Sequence, residues 1–152
     1  MDKIYNSVID YLNKEDETLL PNQDILSNLS KNYSELLQYV KAIKILDIIL
    51  KLNDEDLECW YLLSFNHYTI KNYKHSMKCL KNFKRVYEKH SFKTDEILEL
   101  EDAAKELYQI LEDIRKNSQD GELRNNNIEE SEEKDEEERI LDNSNADMNI
   151  DY

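Results

Sequence analysis

Displaced by 34 residues, the middle of this chain lies over itself. Leu26 meets Trp60, Leu29 meets Leu63, Ser30 meets Ser64 and Tyr33 meets His67. Further on, Tyr39 meets Tyr73, Ala42 meets Ser76, Leu46 meets Leu80 and Ile49 meets Phe83. Within each copy the apolar residues recur three and four apart, which is the helical period. The repeating unit is therefore two helices joined by a turn. Such a pair leaves one apolar face uncovered, so pairs stack and a final helix covers the last. Small residues at Ala42, Ser64 and Ser76 let paired helices approach, while Trp60, Leu63 and Tyr73 fill the space between them. One Gly and one Pro in 152 residues leave no glycine-rich phosphate loop and too few turn residues for many short strands.

A helix–turn–helix period of 34 residues is the mark of tetratricopeptide repeats. It predicts an all-α fold, a short tetratricopeptide-repeat helical solenoid, with a generic helical bundle as the competing arrangement. The unit from Trp60 through Phe83 matches best. It departs from the consensus at Ser64, where Gly is usual, at His67, where Tyr is usual, and at Phe83, where Ala is usual. The last change implies a wider helix spacing or a local shift. The first unit has Leu26 where Trp is expected. Six helices are expected: one from Ile4 that ends at Leu19-Leu20-Pro21, then Asp24 to Ser34, Tyr39 to Leu52, Asp56 to Thr69, Asn72 to Lys89 and Thr94 to Lys116. Thr94 suits an N-cap, with Asp95 and Glu96 where the helix dipole favours negative charge. Ile97, Leu100, Ala104, Leu107, Leu111 and Ile114 form one apolar stripe.

The composition changes near Asn117. Residues 1–116 hold 21 acids and 17 bases, whereas residues 117–152 hold 13 acids and 3 bases, in a chain of net charge −14. The second part contains Asn125-Asn126-Asn127 and an almost unbroken acidic run from Glu129 to Glu138. It has too little apolar surface to offset lost chain entropy. Residues 1–116 are thus expected to be a tetratricopeptide-like helical domain and 117–152 an acidic disordered tail. A net acidic chain is repelled by phosphate, so direct nucleic-acid binding is not expected of the chain as a whole; basic partners are. The longest aliphatic run, Ile48-Ile49-Leu50, is far too short to span a membrane. The start, Met1-Asp2-Lys3-Ile4, lacks the apolar core of a secretory signal. Cys59 and Cys79 are then expected as reduced thiols, in the cytoplasm or nucleus.

One stretch goes beyond a generic repeat. Trp60-Tyr61-Leu62-Leu63-Ser64-Phe65, Asn72-Tyr73 and Cys79-Leu80 are followed by Thr94-Asp95-Glu96-Ile97-Leu98-Glu99-Leu100, a long acidic helix and an acidic tail. From Tyr39 to Asp113 this order resembles the tetratricopeptide assembly chaperones of large-subunit ribosomal protein four. The chain is shorter than that family leads one to expect, with fewer repeats before Trp60. The resemblance implies a non-enzymatic chaperone of ribosome biogenesis. It would shield a basic, newly made ribosomal protein and accompany it toward the nucleus. A generic tetratricopeptide adaptor that scaffolds a protein complex is the alternative.

The residues themselves point the same way. On the fourth helix Trp60, Leu63 and Ser64 take the packing side. Glu58, Tyr61, Phe65 and Tyr68, spaced 3, 4, 3, point elsewhere. On the sixth helix Asp95, Glu99, Asp102 and Glu106 lie opposite the apolar stripe. If both helices line one groove, it has an aromatic floor and an acidic wall, which suits Arg and Lys side chains through cation–π contact and carboxylate pairing. The groove-lining helix offers Asn66 but no basic residues, so a clamp for acidic C-termini is not expected. Lys71, Lys74, Lys78, Lys81 and Arg85 form a basic stripe on the fifth helix, read as a solvated outer face, a partner for the tail, or a contact for nucleic acid or an importer. His75 and Cys79 share a helix face, but no CxxC or HExxH spacing completes a metal site. His67 and Cys59 read as packing residues. No nucleophile stands beside a base at a telling spacing, and adjacent acids such as Glu101-Asp102 diverge by about 100° on a helix. No catalytic residue, metal or cofactor is expected.

Overall fold

The computed structural model describes residues 1–14 and 20–121. The end of the first expected helix and, from residue 122, the expected tail lie outside the described residues. Among the described residues six helices follow one another: α1 (Asp2–Lys14), α2 (Gln23–Glu35), α3 (Tyr39–Leu52), α4 (Leu57–Thr69), α5 (Tyr73–Lys89) and α6 (Asp95–Gly121). The architecture is all-α, as expected. Asp56 and Asn72, read as helical, are N-caps. α6 continues through the change of composition at Asn117 and is described as far as Gly121.

The 34-residue stride is written into the backbone hydrogen bonds. At the start of α2, Ile25 N–H donates to Asn22 Oδ1 at 3.0 Å; at the start of α4, Cys59 N–H donates to Asp56 Oδ1 at 2.9 Å. Both are side-chain caps that satisfy an otherwise unpaired helix donor. The ends match as well. Leu37 N–H donates to Ser34 O and Gln38 N–H to Tyr33 O; Lys71 N–H donates to Tyr68 O and Asn72 N–H to His67 O. This is the Schellman closure, which puts its C′ residue in the left-handed region. That residue is Leu37 at φ 60° in the first pair and Lys71 at φ 63° in the second. Nothing but the fold's geometry places a leucine and a lysine there, since glycine is the residue with no steric cost in that region.

The core runs between the pairs. Leu26, Leu29, Tyr33, Ala42, Ile45, Leu46, Ile48, Ile49, Cys59 and Leu63 are buried, and Val8 brings α1 onto them. Trp60 is half-buried against this cluster and its indole N–H donates to Asp54 O at 2.8 Å. The small residues sit where close approach requires them: Ser30, Ala42, Ser64 and Ser76 are all buried. In the second pair the two serines lock α4 to α5. Ser64 Oγ donates to Ser76 O at 2.8 Å, and Ser76 Oγ to Ser64 O at 2.8 Å. α1 is tied in by aromatic contact, with Tyr5 edge-on to Tyr33 at 5.5 Å and the Lys41 ammonium about 5 Å from both rings, at 4.9 and 5.2 Å.

Residues 1–108 form one compact unit and a second begins at Gln109. In the first, Thr94 Oγ1 caps α6 by accepting from Ile97 N–H, and Ala104 and Leu107 are buried. The described part of the second is the remainder of α6, with Leu111 buried, Gln109 donating to Asp113 and Arg115 paired with Glu112. Among the described residues, no helix is long and apolar enough to cross a membrane.

Candidate functional site

α4 buries Leu57, Cys59, Leu63, Ser64 and Asn66. What remains for the opposite face is Glu58, Tyr61, Phe65 and Tyr68, because positions 3 and 4 apart stack on one side of a helix. Phe65 is 40 % exposed and Tyr61 and Tyr68 are half-buried. Tyr68 leans toward Tyr73, with ring centroids 6.0 Å apart. On α6, Asp95, Glu99, Asp102 and Glu106 are exposed, on the side away from Ala104 and Leu107.

The two sets meet at two places. Burial first, and then the Glu106 carboxylate, hold the Tyr61 phenol above its ordinary pKa, so the carboxylate lies within electrostatic reach of the phenol. Toward the start of both helices a cleft of about 560 Å³ opens. Glu58 and Glu99 line it together with Glu55 and Glu96, over Leu57, Ile97 and Leu100 and beside His90. Phe65, Asp95 and Asp102 are not among its lining residues; they stand exposed on the same two helices. Glu58 also binds Lys31 of α2 at 2.7 Å, so part of its charge is answered within the protein.

Glu55, Glu96, His90 and the three apolar residues are additions that sequence spacing did not supply. Glu55 lies in the turn after α3, His90 caps the C-terminus of α5, and Glu96 read only as a partner of the helix dipole. The signal available was that all three flank helix ends, which stacking brings to one edge. Glu101 faces elsewhere. It accepts from Tyr87 Oη at 2.7 Å and from Lys105 at 3.0 Å, and the Tyr87 hydrogen bond, followed by that to Lys105, holds it below the usual carboxylate range. The α5–α6 link is fixed by Lys93, whose ammonium donates to the Tyr87 and His90 carbonyls and lies 3.8 Å from the Tyr87 ring centroid.

Asn66 is not a groove residue. It is fully buried, donating to Leu62 O at 2.7 Å and accepting from Ser34 Oγ of α2 at 2.9 Å. His67 is half-buried, with its Nδ1 unpaired and its ring stacked on His75 at 5.3 Å; burial and then the charge of His75 lower its pKa. Cys59 and Cys79 are buried free thiols. Cys59 Sγ donates to Leu46 O at 3.4 Å, and its pKa is raised, chiefly by burial. Burial also pushes the Cys79 thiol up to about 12. Among the described residues, no group of three or more His, Cys, Asp or Glu could hold a metal ion.

A cleft with an apolar floor and four carboxylates at its rim fits a long cationic side chain. The stem lies on Leu57, Ile97 and Leu100 while the charged head meets the acids. Farther along α4, half-buried Tyr61 and exposed Phe65 offer ring faces for a second cation. Fold and face together define an all-α helical-repeat protein with an acidic and aromatic surface. No protein-family description, curated protein or solved structure matches the chain.

Proposed function

We propose that this chain is a non-enzymatic binding protein, a dedicated chaperone that shields a basic, newly made large-subunit ribosomal protein during ribosome assembly, acting in the cytoplasm and nucleus. The observation that carries the reading is the cleft in which Glu55, Glu58, Glu96 and Glu99 surround an apolar floor. Exposed Phe65 and half-buried Tyr61 on the same helix as Glu58 extend it. A cationic segment seated there is held by pairing and ring contact and is withheld from RNA, with no covalent step. The resemblance of Tyr39–Asp113 to the chaperones of ribosomal protein four supplies the particular client.

The test is titration of the full chain with purified large-subunit ribosomal protein four. Binding is expected to weaken with salt, and Phe65→Ala combined with Glu99→Lys is expected to lower affinity at least tenfold, about 1.4 kcal/mol or more. Binding that ignores both changes refutes the groove. The alternative, an adaptor in a larger complex, is favoured by one feature: Leu36, Leu37 and Val40 at the α2–α3 turn are exposed and apolar. Recovery of a multi-subunit complex that is lost on Leu37→Asp and kept on Glu99→Lys would decide for it.

A further inference from the structure

The net charge that argues against nucleic acid is an average, and the fold separates its parts. α2 carries Asp24 and Glu35 against Lys31, α4 carries Glu58 alone, and α6 as far as Tyr108 carries six acids against Lys105. The second helices of the pairs are the reverse. α3 has Lys41, Lys44 and Lys51 against Asp47, and α5 has six Lys or Arg against Glu88. Every exposed residue of α5 is charged or histidine: Lys74, His75, Lys78, Lys81, Lys84, Arg85, Glu88 and Lys89.

The 34-residue stride sets part of this charge in register. Lys44 and Lys78 hold equivalent places, as do Lys51 and Arg85, and all four are exposed. Within each helix the two cations, Lys44 and Lys51 or Lys78 and Arg85, are seven residues apart, about 10 Å along the axis. Cys79 of α5 shares the core cluster with Ile48 and Ile49 of α3, and Asp47 of α3 lies within electrostatic reach of His75 and Cys79. Asp47 is the one acid inside the array; at its edge Glu88 and Glu55 reach Lys84 and Lys89 only at 4.0 Å.

We propose that the exposed face of α3 and α5, centred on Lys44, Lys51, Lys78 and Arg85, is a second binding surface, for the phosphate backbone of RNA. Its occupant is read from what α5 lacks. A protein partner is anchored by buried apolar or aromatic side chains; α5 exposes none, and α3 exposes only Val40 and Leu52, at its two ends. A phosphate backbone requires only spaced cations. α5 exposes no Phe, Tyr or Trp for bases to stack on, and its one exposed ring, His75, is already stacked on His67 at 5.3 Å, so binding is independent of sequence. A Debye length of about 8 Å at physiological salt limits how far the acids of α4 and α6 reach across the protein. The proposal does not depend on the reading of the acidic cleft.

The experiment is fluorescence anisotropy of the full chain with labelled 20-nucleotide RNAs of two unrelated sequences, at several salt concentrations. Both are expected to bind within twofold of each other, with log affinity falling against log salt at a slope of about −3 for four phosphate contacts on a single strand. Lys78→Glu with Arg85→Glu is expected to lower affinity at least tenfold. Lys3→Glu with Lys14→Glu, the same charge change on α1, is expected to stay within twofold of the unchanged chain. Four results overturn the proposal: no binding at 50 mM salt, equal losses in the two double variants, strong preference for one sequence, or equal affinity for poly-glutamate, which would make the partner an acidic protein. Circular dichroism of each variant confirms that exposed substitutions leave the helices intact.

Discussion

The two helix pairs share a backbone and differ in what they display. Caps, Schellman closures and small buried residues recur at the same stride in α2–α3 and α4–α5. The side chains that α4 turns outward do not recur. Glu58, Tyr61, Phe65 and Tyr68 stand where α2 has Asp24, Ser27, Lys31 and Ser34. Architecture is thus carried by positions that look inward or close a helix, and recognition by positions the architecture leaves unconstrained. The second pair has been given an aromatic face that the first lacks, and Lys31 of the first is spent on Glu58 of the second.

That comparison can be broken most forcefully in the core. Leu29 and Leu63 are equivalent and both buried. Leu29→Ala and Leu63→Ala should each cost about 2–5 kcal/mol, measured by urea unfolding. If one is neutral, the pairs are not structural equivalents. A smaller effect, of opposite sign, is expected at the left-handed residues. Leu37→Gly and Lys71→Gly should each stabilise by up to about 1 kcal/mol, because glycine takes this conformation without the clash a Cβ brings; a loss of stability at either would show that its side chain contributes more than its strain costs. The smallest effect sharpens one of the inward positions where the pairs differ, Tyr33 against His67. The pKa of His67 is lowered in the folded protein, so the unfolded chain takes up a proton first as pH falls below about 6.5. Stability is lost progressively below that point. His67→Tyr, which restores the residue of the first pair, should reduce the fall in urea midpoint between pH 7.5 and 5.5; parallel curves would mean that His67 does not titrate in this range.

Much of the architecture was legible because it rests on local rules. The bounds of α3 follow from its apolar period and the turn at Asn53, and Thr94 does cap α6. Ser64 and Ser76 read as small contact residues and are that, with reciprocal hydrogen bonds that spacing alone does not reveal. The site was legible in part. Glu58 and Glu99 do line a common cleft, whereas Glu55, His90 and Glu96 join it from helix ends, which no periodicity marks. Asn66 stands on the helix expected to line the groove, and spacing does not reveal that it is buried, because its partner, Ser34, lies 32 positions away on another helix. Long-range pairing of that kind depends on how the pairs stack, and it is absent from any single helical wheel.

The two thiols have a practical consequence. Cys59 and Cys79 are buried in or beside the seam between the helix pairs, and both resist ionisation there. Only the thiolate reacts readily, so a maleimide or disulfide reagent is met by an inert surface until the seam opens. The chain thereby carries two native stopwatches for local breathing, whose labelling rates time the opening of the stack without any introduced probe.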